Sequence, residues 1–177
     1  MLTALSTAVT FLLSTSGGVT EIRGSWSAPV DGLRLRVVEV FGPSEHSLFV
    51  DLENLNAAPL VFVSELQKGI ETAHWGVSLE ASRIDGTAQF GGSCGSWALG
   101  RLVIAAAATH RLKCSFSWEQ IGYGDARIAP ADRDRPLRLS AHLMARQPAW
   151  ARLGWWEREW LGDANSPRLS THFVHQE

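Results

Sequence analysis

The feature that most constrains the fold is an alternation of apolar and polar residues through residues 33–63. Its first segment places apolar side chains at Leu33, Leu35 and Val37, with polar residues between them. Successive residues of a β-strand point to opposite faces of a sheet, so this spacing predicts strands with one buried face. Asn, Ala and Pro at 54–59 interrupt the alternation, as expected for a connection between antiparallel strands.

The same pattern continues through the rest of the central part of the chain. Residues 73–82, 109–118 and 137–143 alternate and are predicted to be strands. The glycine-rich segment 89–100 is predicted to be a loop. Together these segments predict an all-β, antiparallel β-sandwich over residues 17–146.

Composition narrows the functional classes without identifying one. The formal net charge is -2, and the basic residues are scattered along the sequence, which argues against a nucleic-acid-binding protein. The hydrophobic content of 45% is sufficient for one buried core. Eight Trp against one Tyr is unusual, and it indicates heavy packing or contacts with a sugar, a peptide or a membrane surface.

The N-terminal residues 1–16 resemble an export signal, because residues 2–13 are apolar and small residues follow. The first basic residue is Arg23, whereas such signals normally begin with one. The alternative is the first strand or helix of a cytoplasmic protein. The apolar run is too short for a transmembrane span. We therefore expect a secreted or periplasmic protein whose mature chain begins near Gly17.

The two cysteines, Cys94 and Cys114, fit export because a single pair in an oxidising compartment commonly forms a disulfide. The alternative is a pair of free thiols in a cytoplasmic protein. No histidine pair accompanies them in the sequence, so we expect no metal site there. The pattern likewise indicates no cofactor.

The C-terminal part, residues 147–177, has a different periodicity. Pro148 and Gly162 fit the start and the end of a helix over residues 148–161. We expect this Trp-rich helix to pack over one end or edge of the sandwich, and residues 169–174 to add a strand. Trp155 lies off the apolar stripe and is the first candidate for contact with a partner, with Trp156 second. The stripe consists of Ala149, Leu153, Trp156 and Trp160.

One catalytic motif needs consideration. Ser93 is the central residue of a Gly-x-Ser-x-Gly pattern, with Asp125 and His142 as candidate partners. A nucleophile elbow needs a buried strand before the serine and a helix after it, and the flanking residues suit neither. A hydrolase that uses Ser93 therefore remains only an alternative, and no catalytic residue is predicted.

The order of predicted strands resembles bacterial immunoglobulin-like sandwiches, and most closely the intracellular proteinase inhibitor family. The similar residues are Asp-Leu-Glu-Asn at 51–54, Ala-Pro-Leu-Val at 58–61 and Phe-Ser-Trp-Glu-Gln at 116–120. Four alanines at 105–108 replace a glycine expected in that family. The resemblance covers residues 33–146 and implies an immunoglobulin-like sandwich, but no inhibitory residue can be matched.

These observations predict a non-enzymatic, exported domain that recognises a protein or a component of the cell envelope. Recognition would use an exposed strand edge, loops at one end, or the Trp-rich helix. A glycan-binding module with Trp platforms is the alternative among binding proteins. The partner and the oligomeric state do not follow from the sequence.

Overall fold

The chain was analysed as a computed structural model, which describes residues 11–15, 18–41, 46–67, 70–73, 75–83, 89–94, 101–115, 136–145 and 158–172. The described residues form β-strands joined by turns and short connections. Their bounds are β1 (Phe11–Thr15), β2 (Val19–Arg23), β3 (Leu33–Phe41), β4 (His46–Asn54), β5 (Leu60–Gln67), β6 (Ile70–Ala73), β7 (Trp75–Arg83), β8 (Gln89–Cys94), β9 (Arg101–Ile104), β10 (Thr109–Ser115), β11 (Pro136–Ala145), β12 (Arg158–Glu159), β13 (Gly162–Asn165) and β14 (Leu169–His172).

Ten strands form one large antiparallel sheet in the order β1-β2-β3-β4-β10-β8-β7-β11-β13, with β14 also paired to β11. Although β3 and β11 are distant in this order, they contact each other. The sheet therefore curls, and its two ends approach each other around a common core.

A smaller sheet packs against the concave side of the large one. In this sheet β5 pairs with β6 and β9 in antiparallel fashion and with β12 in parallel. Phe62 of β5 contacts Trp75 of β7 and the buried Trp160, with ring centroids 5.4 and 5.7 Å apart. These aromatic contacts, which favour tilted geometries, join the two sheets at the centre of the core.

Burial follows the alternation that the sequence shows in residues 33–63. Leu33, Leu35 and Val37 are fully buried, whereas the arginines between them are partly exposed. Cross-strand partners repeat this arrangement, since Leu35 pairs with Leu52 and Val37 with Val50. The prediction of an all-β fold with antiparallel sheets is confirmed.

A buried amide fixes the turns at one end of the fold. The Asn54 side chain donates hydrogen bonds to the main-chain oxygens of Ala58 (2.9 Å) and Ile104 (3.1 Å) and accepts one from the Asn56 main chain. Gly32, at φ +76°, lies against the Asn56 side chain and leaves no room for a Cβ atom. The Asn-rich break predicted at 54–59 is thus a set of connected turns with every described amide atom of Asn54 bonded.

The prediction of a loop over residues 89–100 is wrong for its first part. Residues 89–94 form β8, which pairs with β7 and, at its end, with β10. Glycine is unfavourable in a strand, but pairing with β7 along the whole of β8, including Gly91 and Gly92, outweighs this local preference. The remaining residues of the predicted loop lie outside the described part of the chain.

The predicted C-terminal helix does not reach Leu161. Arg158–Glu159 is a short strand, and the main-chain N–H of Trp160 donates to the oxygen of Val61 at 3.1 Å. Trp160 is buried, as its place in the apolar stripe implies, but it is held there by extended backbone. Residues 148–157 lie outside the described residues, so that part of the helix stays a prediction.

The two ends of the chain contribute strands to the large sheet. Residues 11–15, which fall within the predicted export signal, pair with β2 through a turn at Gly18. Near the C-terminus, β14 confirms the strand predicted over residues 169–174 for the residues that are described. Among the described residues, no helix has the length and apolar character needed to cross a membrane.

Cys94 and Cys114 form the predicted disulfide, and they are direct partners on the adjacent strands β8 and β10. We expect replacement of both cysteines by alanine to lower the free energy of unfolding by about 3 kcal/mol, because the bond closes a loop of about twenty residues in the unfolded chain. Urea unfolding of both proteins measures this difference.

The same experiment in a reducing buffer provides the control. Reduction should remove most of the difference between the wild type and the double variant, since both then lack the bond. Equal stability of the two proteins under oxidising conditions would contradict a stabilising disulfide.

Candidate functional site

The structure separates the residues that the sequence suggested for function. Trp155, Trp156 and Asp125 lie outside the described residues, so their roles stay predictions. Ser93 lies within β8, and His142 lies on β11.

Ser93 is not at a strand-to-helix turn. Its main chain pairs with Ser78 on one side and Ser115 on the other, well inside the sheet. Ser78 is the direct partner of His142, but its hydroxyl donates to the main-chain oxygen of that histidine at 3.5 Å. The His142 ring instead contacts Asp163 through Nε2. The described side-chain partner of His142 is therefore Asp163.

A more developed arrangement lies on the outer side of β2, β3, β4 and β10, opposite the core. Here charged and aromatic side chains surround the buried Val38 and contact one another across the strands. We call this surface the arginine face. It comprises Glu21, Arg23, Trp26, Arg34, Arg36, Phe49, Asp51, Glu53 and Arg111.

Asp51 is the centre of the arginine face. Strand register places it directly between Arg36 on β3 and Arg111 on β10. Its side chain is only 2% exposed. Arg111 donates to both carboxylate oxygens, at 2.6 Å from Nε and 3.0 Å from Nη2, and Arg36 donates to Oδ2 at 3.0 and 3.1 Å. The negative charge of the buried Asp51 carboxylate is therefore compensated by hydrogen bonds from two guanidinium groups.

Arg111 extends the network across the face to β2. Its Nη2 donates to Glu21 at 3.0 Å, and Glu21 also accepts from Arg23. The Arg111 guanidinium also lies 5.5 Å from the centroid of the Phe49 ring. The side chain thereby links strands that are not neighbours and partly covers an aromatic ring.

The ion pairs shift the pKa values of Glu21 and Arg111 in opposite directions. The hydrogen bond from Arg111 is the main reason that the pKa of Glu21 lies below its ordinary value, although partial burial acts the other way. The hydrogen bond to Asp51 is the main reason that the pKa of Arg111 lies above its ordinary value. Glu21 and Arg111 both stay charged across the physiological pH range.

Trp26 forms the aromatic end of the arginine face. The Arg36 guanidinium carbon lies 4.2 Å from the Trp26 ring centroid, and that of Arg34 lies 4.8 Å from it. Arg34 also pairs with Glu53, which is its direct partner on β4. Cation–π stacking and ion pairing thus hold both arginines in defined positions.

The arginine face has an excess of positive charge and unused hydrogen-bond donors. The four arginines and three carboxylates named above sum to a charge of +1, and the exposed Lys113, opposite Phe49 on β10, adds another positive charge on the same side, in a chain whose formal charge is -2. Arg23 and Arg34 bind their carboxylates through Nε. Their terminal NH₂ groups have no hydrogen-bond partner within the described ranges. Both side chains are about one-third exposed, at 35% and 31%.

Sequence reasoning missed this surface although a signal for it was present. The same alternation that predicted β3 places Arg34 and Arg36 together on its polar side, and Asp51 and Glu53 alternate likewise on β4. The sequence does not show which strand pairs with the second edge of β4. That strand, β10, carries Arg111, which is distant along the chain.

The described residues include no group of three or more His, Cys, Asp or Glu side chains placed to hold a metal ion. Comparison with known proteins found no matching family model, no matching curated protein and no matching solved structure.

The central position of Asp51 leads to a stability prediction. We expect Asp51→Ala to lower the free energy of unfolding by about 3 kcal/mol or more, because two guanidinium groups lose the buried carboxylate between them. Glu53→Ala is the matched control on the same strand and face, and it should cost less than about 1 kcal/mol because that pair is more exposed. Urea unfolding measures both, and equal losses would contradict a central role for Asp51.

The lowered pKa of Glu21 predicts a pH-dependent contribution to stability. The folded protein holds the Glu21 proton less tightly than the unfolded chain, so ionised Glu21 stabilises the fold above its ordinary pKa of 4.5. This stabilisation is lost as the pH falls through the lower folded-state pKa. Glu21→Gln should therefore be less stable than the wild type at about pH 7, by less than about 1 kcal/mol, and this difference should shrink as the pH falls below 4.5.

Denaturant unfolding at about pH 7 and about pH 3 measures the effect. Glu80→Gln, at an exposed site on β7, is the control and should leave stability close to that of the wild type at both pH values. A deficit of Glu21→Gln that grows on acidification would contradict the assigned direction.

Proposed function

We propose that the protein is a non-enzymatic binding domain that recognises a protein or a cell-envelope partner, and that the arginine face is its recognition surface. The observation that carries the proposal is the set of arginines and Trp26 fixed side by side on the outside of one sheet. Arg and Trp are the residue types that most often dominate the energetics of protein interfaces.

Rigidity supports this assignment. A long arginine side chain normally loses conformational freedom when it binds, which weakens association. In the arginine face, Asp51 already holds Arg36 and Arg111, while Trp26 and Glu53 hold Arg34. A partner would meet side chains that are already ordered, so less entropy is lost on binding.

The proposed location is outside the cytoplasm, in the periplasm or the extracellular space. The disulfide between Cys94 and Cys114 supports it, because such bonds persist mainly in oxidising compartments. Trp155 and Trp156 remain proposed as further partner contacts on the C-terminal helix.

We also propose that the two sheets form an immunoglobulin-like sandwich similar to that of the intracellular proteinase inhibitor family. The antiparallel strands and the packing of β5 against β7 support it. One feature differs from antibody domains, in which the disulfide connects the two sheets, since Cys94 and Cys114 are neighbours within one sheet.

The two alternatives are less well supported. A glycan platform needs an open aromatic ring, whereas arginines stack on the half-buried Trp26. The C-terminal tryptophans Trp150, Trp155 and Trp156, on which the glycan alternative is based, lie outside the described residues. A hydrolase that uses Ser93 needs a base beside that residue, and its main-chain partners are serines.

Selection of peptides from an unbiased display library against the full chain tests the proposal. We expect binders whose affinity falls about tenfold or more on Trp26→Ala or on Arg34→Gln, because a truncated anchor residue typically has that effect. Circular dichroism melting verifies that each variant is folded.

Val103→Ala is the matched control, since Val103 is 46% exposed on β9 of the other sheet. Binders that respond to Val103→Ala and not to the two arginine-face variants would overturn the assigned surface. Ester turnover by the purified protein that disappears on Ser93→Ala would overturn the non-enzymatic assignment.

A further inference from the structure

We infer that the arginine face docks an acidic segment of a partner protein, with the partner's carboxylates bound by the terminal NH₂ groups of Arg23 and Arg34. This inference rests on the proposed function and specifies the chemistry of the partner. It follows from the order of charges on the face and from the donors that its internal contacts leave unused.

The ion pairs form a chain in which positive and negative groups alternate. Arg36 binds Asp51, Asp51 binds Arg111, Arg111 binds Glu21, and Glu21 binds Arg23. The chain therefore contains three arginines and two carboxylates, carries one positive charge in excess, and ends at Arg23. A carboxylate from another molecule at Arg23 would continue the alternation and neutralise that charge. Arg34 lies outside this chain, in a separate pair with Glu53, and contributes its remaining terminal donors.

The available donors have the geometry that a carboxylate requires. A guanidinium group presents its N–H bonds in a planar fork that matches the two oxygens of a carboxylate. Arg23 and Arg34 bind their own partners through Nε, and their terminal groups have no described hydrogen-bond partner. They lie at different places on the face, because Arg23 pairs with Val38, four residues along β3 from Arg34.

This separation favours an extended acidic segment over a single small anion. Four residues of a strand span about 13 Å, so one carboxylate does not reach both arginines, whereas carboxylates several residues apart do. The small charge excess also argues against a dense polyanion, since nucleic-acid-binding surfaces usually carry many uncompensated cations. Trp26 stacks against the Arg34 guanidinium and holds it in position for such a contact.

A labelled octaglutamate peptide is the probe, with octaglutamine and octalysine peptides of the same length as controls. We expect octaglutamate to bind in fluorescence anisotropy and the two other peptides not to bind. Its affinity should fall as the salt concentration rises from about 0.05 M to about 0.3 M, because the contacts are exposed and screened.

Variants locate the binding site. The double variant Arg23→Gln, Arg34→Gln should weaken octaglutamate binding about tenfold or more, since it removes two charge-assisted contacts. Arg168→Gln, which removes an exposed arginine outside the arginine face, should bind as the wild type does. Melting by circular dichroism verifies the folded state of each variant.

The remaining outcomes distinguish this inference from the proposed function. Binders from the display selection that depend on Trp26 but lack acidic residues, with no octaglutamate binding, would overturn the inference and leave the proposed function intact. Octaglutamate binding that Arg168→Gln weakens as much as the double variant would also overturn it, as would tighter binding of tripolyphosphate at the same arginines. Selected binders that are indifferent to the arginine face would overturn both.

Discussion

The pairing of β8 with β10 holds the large sheet together at its middle. On one side lie β1 to β4 together with β10, and on the other lie β8, β7, β11 and the C-terminal strands. Within the described residues the two strands share two residue pairs, Cys94 with Cys114 and Ser93 with Ser115. The covalent bond between Cys94 and Cys114 fixes the register of this pairing. The contact between β3 and β11 and the hydrogen bond from Trp160 to Val30 then hold the two halves around the core.

The arginine face depends on the first of these halves. A buried carboxylate is costly to remove from water, and the cost is offset only where the partner groups are correctly positioned. Here backbone register provides the positioning, because Asp51 has an arginine directly opposite it on each neighbouring strand. A change of one residue in either register would turn one of these arginines toward the core. The charges therefore help to specify the pairing of three strands, while the same pairing fixes the charges for recognition.

The sequence predicts individual strands more accurately than it predicts which strands pair with one another. Alternation at Leu33, Leu35 and Val37 identifies β3 because burial of one face requires it. Strand β8 is not predicted because its glycines indicate a loop, whereas pairing with the distant strand β7 makes the segment extended. The arginine face is not predicted for a related reason. Alternation identifies the polar side of β3, but the contact between Arg111 and Asp51 depends on the pairing of β4 with β10. The helical spacing of apolar residues correctly predicts that Trp160 is buried, but the helix that it predicts at residues 158–161 is wrong. Periodicity indicates which side chains are buried and does not by itself determine the backbone conformation.

The position of β1 has a consequence for the margin of the large sheet. It covers the outer edge of β2, the strand that carries Glu21 and Arg23. An uncovered strand edge presents unpaired N–H and C=O groups to which the strand of another molecule can add. By pairing with all five residues of β2, β1 occupies these groups and moves the sheet margin one strand away from the charged surface. Contacts of another molecule with Glu21 and Arg23 would therefore be made by side chains and not by strand addition at β2.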